Sequence, residues 1–193
     1  MLFIKNSYTN LIKVDWRLEI FETKRLVVRG LKSRDKINYI ELLSDPEIIN
    51  PIPQARLSES QILDKFYDNL NLKWSDLSRS KYTCGIFEKG NPEMIGLCLF
   101  LTNDENDKEL GYRFRSNYWG KGYGTEIAKG MIDHYFNSLN VDRVAADVNT
   151  KNIGSAKILE KFMKPMKEFF NQERHCRVRR YIIEKSDWID EQG

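Results

Sequence analysis

Three glycines at alternate positions, Gly120, Gly122 and Gly124, sit in the segment Tyr118-Trp-Gly-Lys-Gly-Tyr-Gly-Thr-Glu126, between a strand-like run and a run of helical period. Glycine admits positive φ and has no Cβ, so backbone at such residues can approach a ligand closely. A chain that turns on them directly into a helix presents the N–H groups of the loop and the first helical turn together. The helix dipole adds positive potential there, and the result is an anion site suited to a pyrophosphate. Two other phosphate-binding patterns fail. The P-loop needs Gly-x-x-x-x-Gly-Lys-Ser/Thr, which the surroundings of Lys121 lack. The dinucleotide fingerprint would start at Gly120 and Gly122 but put Thr125 where its third glycine belongs. It also requires a repeating βαβ unit, whereas the strand here follows a hairpin.

The rest of the chain predicts one mixed α/β domain. Ile20 to Leu31 reads as a strand, and Ser33 opens a helix with Ile37, Ile40 (or Tyr39) and Leu43 inward. Asp45 to Pro53 carries three prolines and reads as a shaped loop, neither helix nor central strand. Ser58 to Gln61 has capping-box spacing, with Ile62, Phe66 and Leu70 on the helical face that follows. Tyr82–Glu88 and Met94–Leu101 form a hairpin about Lys89–Pro92, and Lys108–Arg115 is the next strand. A helix from Thr125 turns Ile127, Met131, Ile132, Tyr135 and Phe136 to the core and leaves His134 on its polar face. Arg143–Val148 is a buried strand, and Asn152 opens a helix with Ile153, Ala156, Leu159 and Phe162 or Met163 inward. Tyr181–Ile183 belongs to the last strand. No internal repeat or second domain is visible, and residues 1–19 read as an extension before a domain spanning 20–190.

Composition excludes several function classes. With 31 Lys+Arg against 28 Asp+Glu, the net charge of +3 is too small for a nucleic-acid-binding face. The basic run Arg174-His-Cys-Arg-Val-Arg-Arg180 reads as a solvated edge strand, since a strand sends alternate residues to opposite faces. Cys84, Cys98 and Cys176 form no Cys-x-x-Cys pair, and with His134 and His175 they predict no metal site. Cys84 and Cys98 fall in apolar strands and read as core. No apolar run is long enough to span a membrane, and the first residues lack the order of a signal peptide. The expectation is a cytoplasmic protein.

The glycine segment resembles the coenzyme A loop of the GNAT superfamily of N-acetyltransferases, Gln/Arg-x-x-Gly-x-Gly/Ala, with Trp119 at the first polar position. Its wording is similar to the branch that acetylates ribosomal-protein amino termini. Two further segments carry the same resemblance: Glu22-Thr-Lys-Arg-Leu-Val-Val-Arg29, and Asn152-Ile-Gly-Ser155 followed by Leu159-Glu-Lys161. The chain departs from the family where Phe162-Met-Lys164 replaces Leu-Gly-Phe, and where Leu159 stands at a position many relatives give to an acidic Tyr.

The resemblance implies a GNAT-like fold, a mostly antiparallel sheet splayed in its middle and flanked by helices. It implies acetyl transfer from acetyl-CoA to an amine by direct attack within a ternary complex. The acceptor is a small-molecule amine or a protein N-terminus, and a homodimer is left open. It places the pyrophosphate on the amides of Lys121, Gly122, Tyr123, Gly124 and Thr125. Pantetheine then lies on backbone of Gly111–Arg115, including Phe114 and Arg115, with Asn152 bonding its arm. Ser155 faces the leaving thiolate, and Glu109, where its strand enters the cleft, is the expected general base. Read from the residues alone, Asn152 is a helix N-cap, Ser155 a first-turn polar residue and Glu109 a partner for an arginine. The competing expectation is a non-catalytic acyl-CoA-binding module. Asp45–Pro53 and the helix Ser58–Trp74 are the expected walls of the acceptor site.

Overall fold

A computed structural model describes residues 19–49, 57–70, 72–73, 81–172 and 175–190. Its strands are β1 (Glu19–Glu22), β2 (Leu26–Arg29), β3 (Tyr82–Glu88), β4 (Met94–Thr102), β5 (Lys108–Phe114), β6 (Arg143–Asn149), β7 (Lys164–Asn171) and β8 (Cys176–Glu184). Its helices are α1 (Lys36–Ser44), α2 (Pro46–Ile49), α3 (Glu59–Asp68), α4 (Tyr123–Asn137), α5 (Ile153–Leu159) and α6 (Lys185–Asp190). The strands form one sheet in the order β1-β2-β3-β4-β5-β6-β8-β7. Neighbours are antiparallel except β5 and β6, which are parallel.

Helices cover both faces, so the central strands are apolar on both sides and read as continuous hydrophobic runs. On β4, Cys98 and Phe100 join the core under α4, α5 and α6, while Leu97 joins the core under α1, α2 and α3. Cys84 and Cys98 face each other across β3 and β4, both buried thiols. The capping box at Ser58 is present: its Oγ accepts from Gln61 N at 3.3 Å, and Gln61 Oε1 accepts from Ser58 N at 2.9 Å. Among the described residues no helix is long and apolar enough to cross a membrane.

Several expectations are corrected. Ile20–Leu31 is two strands, broken where Thr23 Oγ1 accepts from Leu26 N at 3.0 Å and closes a tight turn. Ile37 is 69% exposed, whereas Leu43 and Tyr39 face inward as expected and Leu42 joins them; α1 begins only after Ser33–Asp35 winds as a 3₁₀ turn. The segment after Asp45 includes a short helix, since proline suits a first helical position and Asp45 Oδ1 accepts from Glu47 N at 2.9 Å. Residues 50–56 of that stretch lie outside the described residues. Ile153 is exposed at the start of α5, whereas Ala156, Leu159 and Met163 are buried. The basic run is not an edge. β7, whose proline and exposed alternation conceal it in sequence, takes the edge and leaves β8 internal with Arg180 1% exposed.

His134 lies seven residues after Ile127, on the same helical stripe, and is buried rather than solvated. Its ring stacks on Phe21 at 5.3 Å and meets Phe100 edge-on at 5.9 Å, and neither ring nitrogen has a hydrogen-bond partner among the described residues. Burial holds its pKa below the ordinary 6.5. A group depressed in the folded state adds no penalty above its unfolded pKa and costs stability as pH falls below it. The melting temperature is therefore expected to drop between neutrality and mildly acid pH, and His134→Leu is expected to flatten that drop; parallel melting curves across pH for the two proteins check it.

Candidate active site

β5 pairs with β4 along its whole length, from Thr102↔Lys108 to Gly96↔Phe114. It pairs with β6 only at Lys108↔Val144 and Glu109↔Ala145. β6 then follows β8 as far as Asn149↔Val178, so the two parallel strands part beyond Glu109. Backbone alternation shows which groups line the gap. Arg115 N donates to Ile95 O, so the amides of Arg113 and Gly111 also face β4, and those of Tyr112 and Phe114 face the cleft. Across the gap, Thr150 N donates to Arg177 O, which turns the backbone of Asp147 and Asn149 to the cleft. Asn152, Ser155 and Leu159 of α5 complete its lining, with Glu109 at the point where the strands part.

The glycine segment lies next to the cleft lining, since a Cβ on Gly124 would lie 3.6 Å from Tyr112 Cε2. Gly120 and Gly122 adopt φ of +73° and +79°, and Gly122 is the N-cap of α4. The first bond of α4 runs from Glu126 N to Gly122 O at 3.2 Å, so the amides of Tyr123, Gly124 and Thr125 have no partner inside the helix. A Cβ on Gly124 would lie 2.7 Å from Ile158 Cδ1; its absence lets α4 start against α5. Lys161 Nζ donates to Thr125 Oγ1 at 3.2 Å, which puts a cation at the same end. The open amides, the cation and the gap beside them fit a pyrophosphate with an extended arm.

Each expected residue has a definite place. Asn152 caps α5, its Oδ1 accepting from Ser155 N at 3.1 Å, which leaves its amide NH₂ for another partner. Glu109 is 7% exposed, and Tyr135 Oη donates to its backbone oxygen at 3.0 Å. Phe114 O accepts from the Trp119 indole at 3.0 Å, and its amide faces the gap. Arg115 is otherwise engaged: its amide is in the sheet and its guanidinium bonds Glu93 and Glu41. Lys121 Nζ sits over the Tyr118 ring at 4.7 Å.

Sequence reasoning missed three residues here. Tyr112 lines the cleft with a buried hydroxyl that has no partner among the described residues, and burial pushes its phenol pKa up. Asp147 and Arg180 form a bidentate pair, Nε to Oδ1 and Nη2 to Oδ2, both 2.7 Å, beside Glu109 and Phe169. Arg180 Nη2 also donates to Asp104 at 2.6 Å. A lone aspartate in Val-Ala-Ala-Asp-Val was the available signal for that pair. Among the described residues no cluster of His, Cys, Asp and Glu is arranged to hold a metal.

The model of an acetyltransferase (GNAT) domain matches residues 25–162. An uncharacterised N-acetyltransferase, p20, of Bacillus licheniformis is 31% identical over 147 residues, covering 74% of this chain and 80% of its own. The solved spermidine N-acetyltransferase from Vibrio cholerae, in complex with CoA and spermine, superposes with a TM-score of 0.69 at 17% identity, over 85% of this chain and 98% of that one. The ribosomal-protein-S5-alanine acetyltransferase from Vibrio fischeri gives 0.68 at 19%, over 87% and 97%. At these identities the two structures establish the shared fold.

Replacing Arg180 by Met is expected to destabilise the protein by about 3–5 kcal/mol, because Asp147 is left buried without its partner. The double change Asp147→Leu with Arg180→Met is expected to recover most of that loss. Urea unfolding of both variants measures it.

Proposed function

The chain belongs to the GNAT acetyltransferase family, and on that premise we propose how its residues divide the work of the reaction. It transfers an acetyl group from acetyl-CoA to an amine. Acetyl-CoA supplies the activated thioester; everything else is position, polarity and protons. The observation that carries the assignment is the parting of β5 and β6, which opens a gap beside the start of α4, where the first amides have no partner inside the helix.

In this reading the amides of Gly122 to Thr125 hold the pyrophosphate, with Lys121 and Lys161 adding positive charge nearby. The cleft-facing amides of Tyr112 and Phe114 and the side-chain NH₂ of Asn152 hold the pantetheine arm. A backbone N–H on β5 polarises the acetyl carbonyl, as an oxyanion hole does, in a site where it needs no reorganisation. Glu109 takes the proton from the attacking amine, directly or through water, as the C–N bond forms. The hydroxyls of Ser155 and Tyr112 line the same cleft, and we assign Ser155 to hydrogen-bond the departing sulfur as the C–S bond breaks and to relay it a proton from water, which restores the serine hydroxyl in the same step; Tyr112 supports it by hydrogen bonding. Leu159 makes that division necessary, since it offers no proton at the helical position where many relatives carry a tyrosine.

The acceptor enters from the face of α1 and α3. A cavity there is lined by Tyr39, Leu43, Lys65, Asp68, Thr83 and Arg113. Both a small-molecule amine and a protein N-terminus suit it, as the names of the spermidine and ribosomal-protein enzymes illustrate. A cytoplasmic setting, where acetyl-CoA and free thiols such as Cys84 and Cys98 persist, completes the reading.

Glu109→Gln is expected to lower kcat/KM roughly 10²–10⁴-fold and to remove the acid limb of its pH profile. Steady-state rates over pH with a panel of amines test this, and an unchanged profile would exclude Glu109 as the base. Gly122→Val forces a branched side chain into a left-handed turn, so coenzyme A binding by calorimetry is expected to weaken at least about tenfold. Wild-type affinity in that variant would remove the loop from the phosphate site.

A further inference from the structure

Glu126 presents a problem that the loop must solve. It lies in the first turn of α4, the end that this reading gives to the pyrophosphate. An acidic side chain in a first turn is ordinarily favourable, because it satisfies the positive end of the helix. For the same reason it competes with any bound anion for the same amides, and its charge repels that anion.

The hairpin turn between β1 and β2 holds both of its oxygens. Oε1 accepts from Thr23 Oγ1 at 2.6 Å and from Arg25 N at 2.7 Å, and Oε2 accepts from Arg25 Nε at 2.6 Å. Arg25 Nη1 also donates to Lys121 O at 3.1 Å, inside the glycine loop, and its guanidinium lies over the Tyr123 ring at 4.5 Å. One side chain therefore binds the carboxylate, the loop backbone and the first residue of the helix. Burial acts to raise the Glu126 pKa, but the bonds from Thr23 and Arg25 outweigh it and hold the group below the ordinary carboxylate value. The side chain is therefore charged at neutral pH, and its field has to be cancelled by a partner.

We propose that Arg25 is a positioning residue for acetyl-CoA: together with Thr23 it draws the Glu126 carboxylate away from the phosphate-binding end of α4 and neutralises it. The proposal rests on the reading of the glycine loop as the pyrophosphate site. Its physical content is electrostatic, since an ion pair this exposed adds little to fold stability. The two motifs Thr23-x-Arg25 and Gly122-x-Gly-x-Glu126 are then halves of one device, about a hundred residues apart in sequence.

The test is a cycle of Arg25→Ala, Glu126→Gln and the double variant in the full-length chain, with coenzyme A binding measured by calorimetry. Arg25→Ala is expected to weaken binding about tenfold, the scale of one uncancelled charge near the diphosphate at partial solvent exposure. Raised ionic strength is expected to shrink the loss. Glu126→Gln is expected to bind as the wild type does, and the double variant to return to that level. In kinetics, the KM for acetyl-CoA rises with kcat unchanged, and the KM for S-acetylpantetheine, which lacks the diphosphate, does not move. Thr23→Val, which leaves Arg25 in place, is expected to give a smaller loss in the same direction, also relieved by Glu126→Gln. A double variant as weak as Arg25→Ala alone would overturn the proposal, because Arg25 would then act on the ligand or the loop and not through Glu126. Wild-type binding by Arg25→Ala alongside impaired binding by Gly122→Val would overturn it while sparing the loop assignment. Wild-type binding by Gly122→Val would overturn both.

Discussion

Two parallel strands that hydrogen-bond over only two residue pairs before separating are the feature on which this site depends. A sheet normally satisfies every interior N–H and C=O with its neighbours. Here β5 remains fully paired on its β4 side while its other edge opens, and β6 does the same against β8. The sheet keeps its integrity through those outer pairings and presents two rows of backbone groups to a gap between them. An extended ligand with amide groups of its own can take the place of the missing strand.

The gap is maintained by what surrounds it. On one side of the sheet, α4 and α5 pack closely because Gly124 has no side chain to keep Ile158 away. Asn152, fixed as the cap of α5, stands where the strands are apart. On the opposite side, the buried Arg180 ties β8 to Asp147 of β6 and to Asp104 in the loop before β5. That bridge links the two halves of the sheet through side chains next to the place where backbone pairing stops. Asp104 and Glu105 add further carboxylates from that loop, and the pair of Arg180 with Asp147 is a stiff connection, since both side chains are at most 9% exposed and losing one leaves the other desolvated.

Much of this was legible in the chain itself. The central strands, the capping box at Ser58 and the helix-opening glycines depend on neighbours in sequence, and local rules find them. Two of the errors share a cause: each concerned a residue whose environment is set by a distant segment. His134 reads as polar by type, yet the stripe it shares with Ile127 meets Phe21 and Phe100 from other strands. Arg180 reads as surface because β7, which covers that edge, has a pattern too polar to be recognised as a strand. Ile37 reads as core, whereas α1 begins only after the 3₁₀ turn and leaves it exposed.

The candidate site divides in the same way. Sequence by itself determined the glycine-led helix start, because positive φ at Gly122 and amides without partners inside the helix follow from local backbone geometry. It also determined that Asn152 caps the next helix and that Leu159 cannot act as an acid. Only the tertiary structure decided which amides of β5 face the gap, since that depends on the register with β4, and that Arg115 is committed elsewhere. Tertiary structure likewise brought Thr23 and Arg25 onto Glu126 and Arg180 onto Asp147. These contacts join residues far apart along the chain, and their partners meet only because distant elements pack together, which no local window contains.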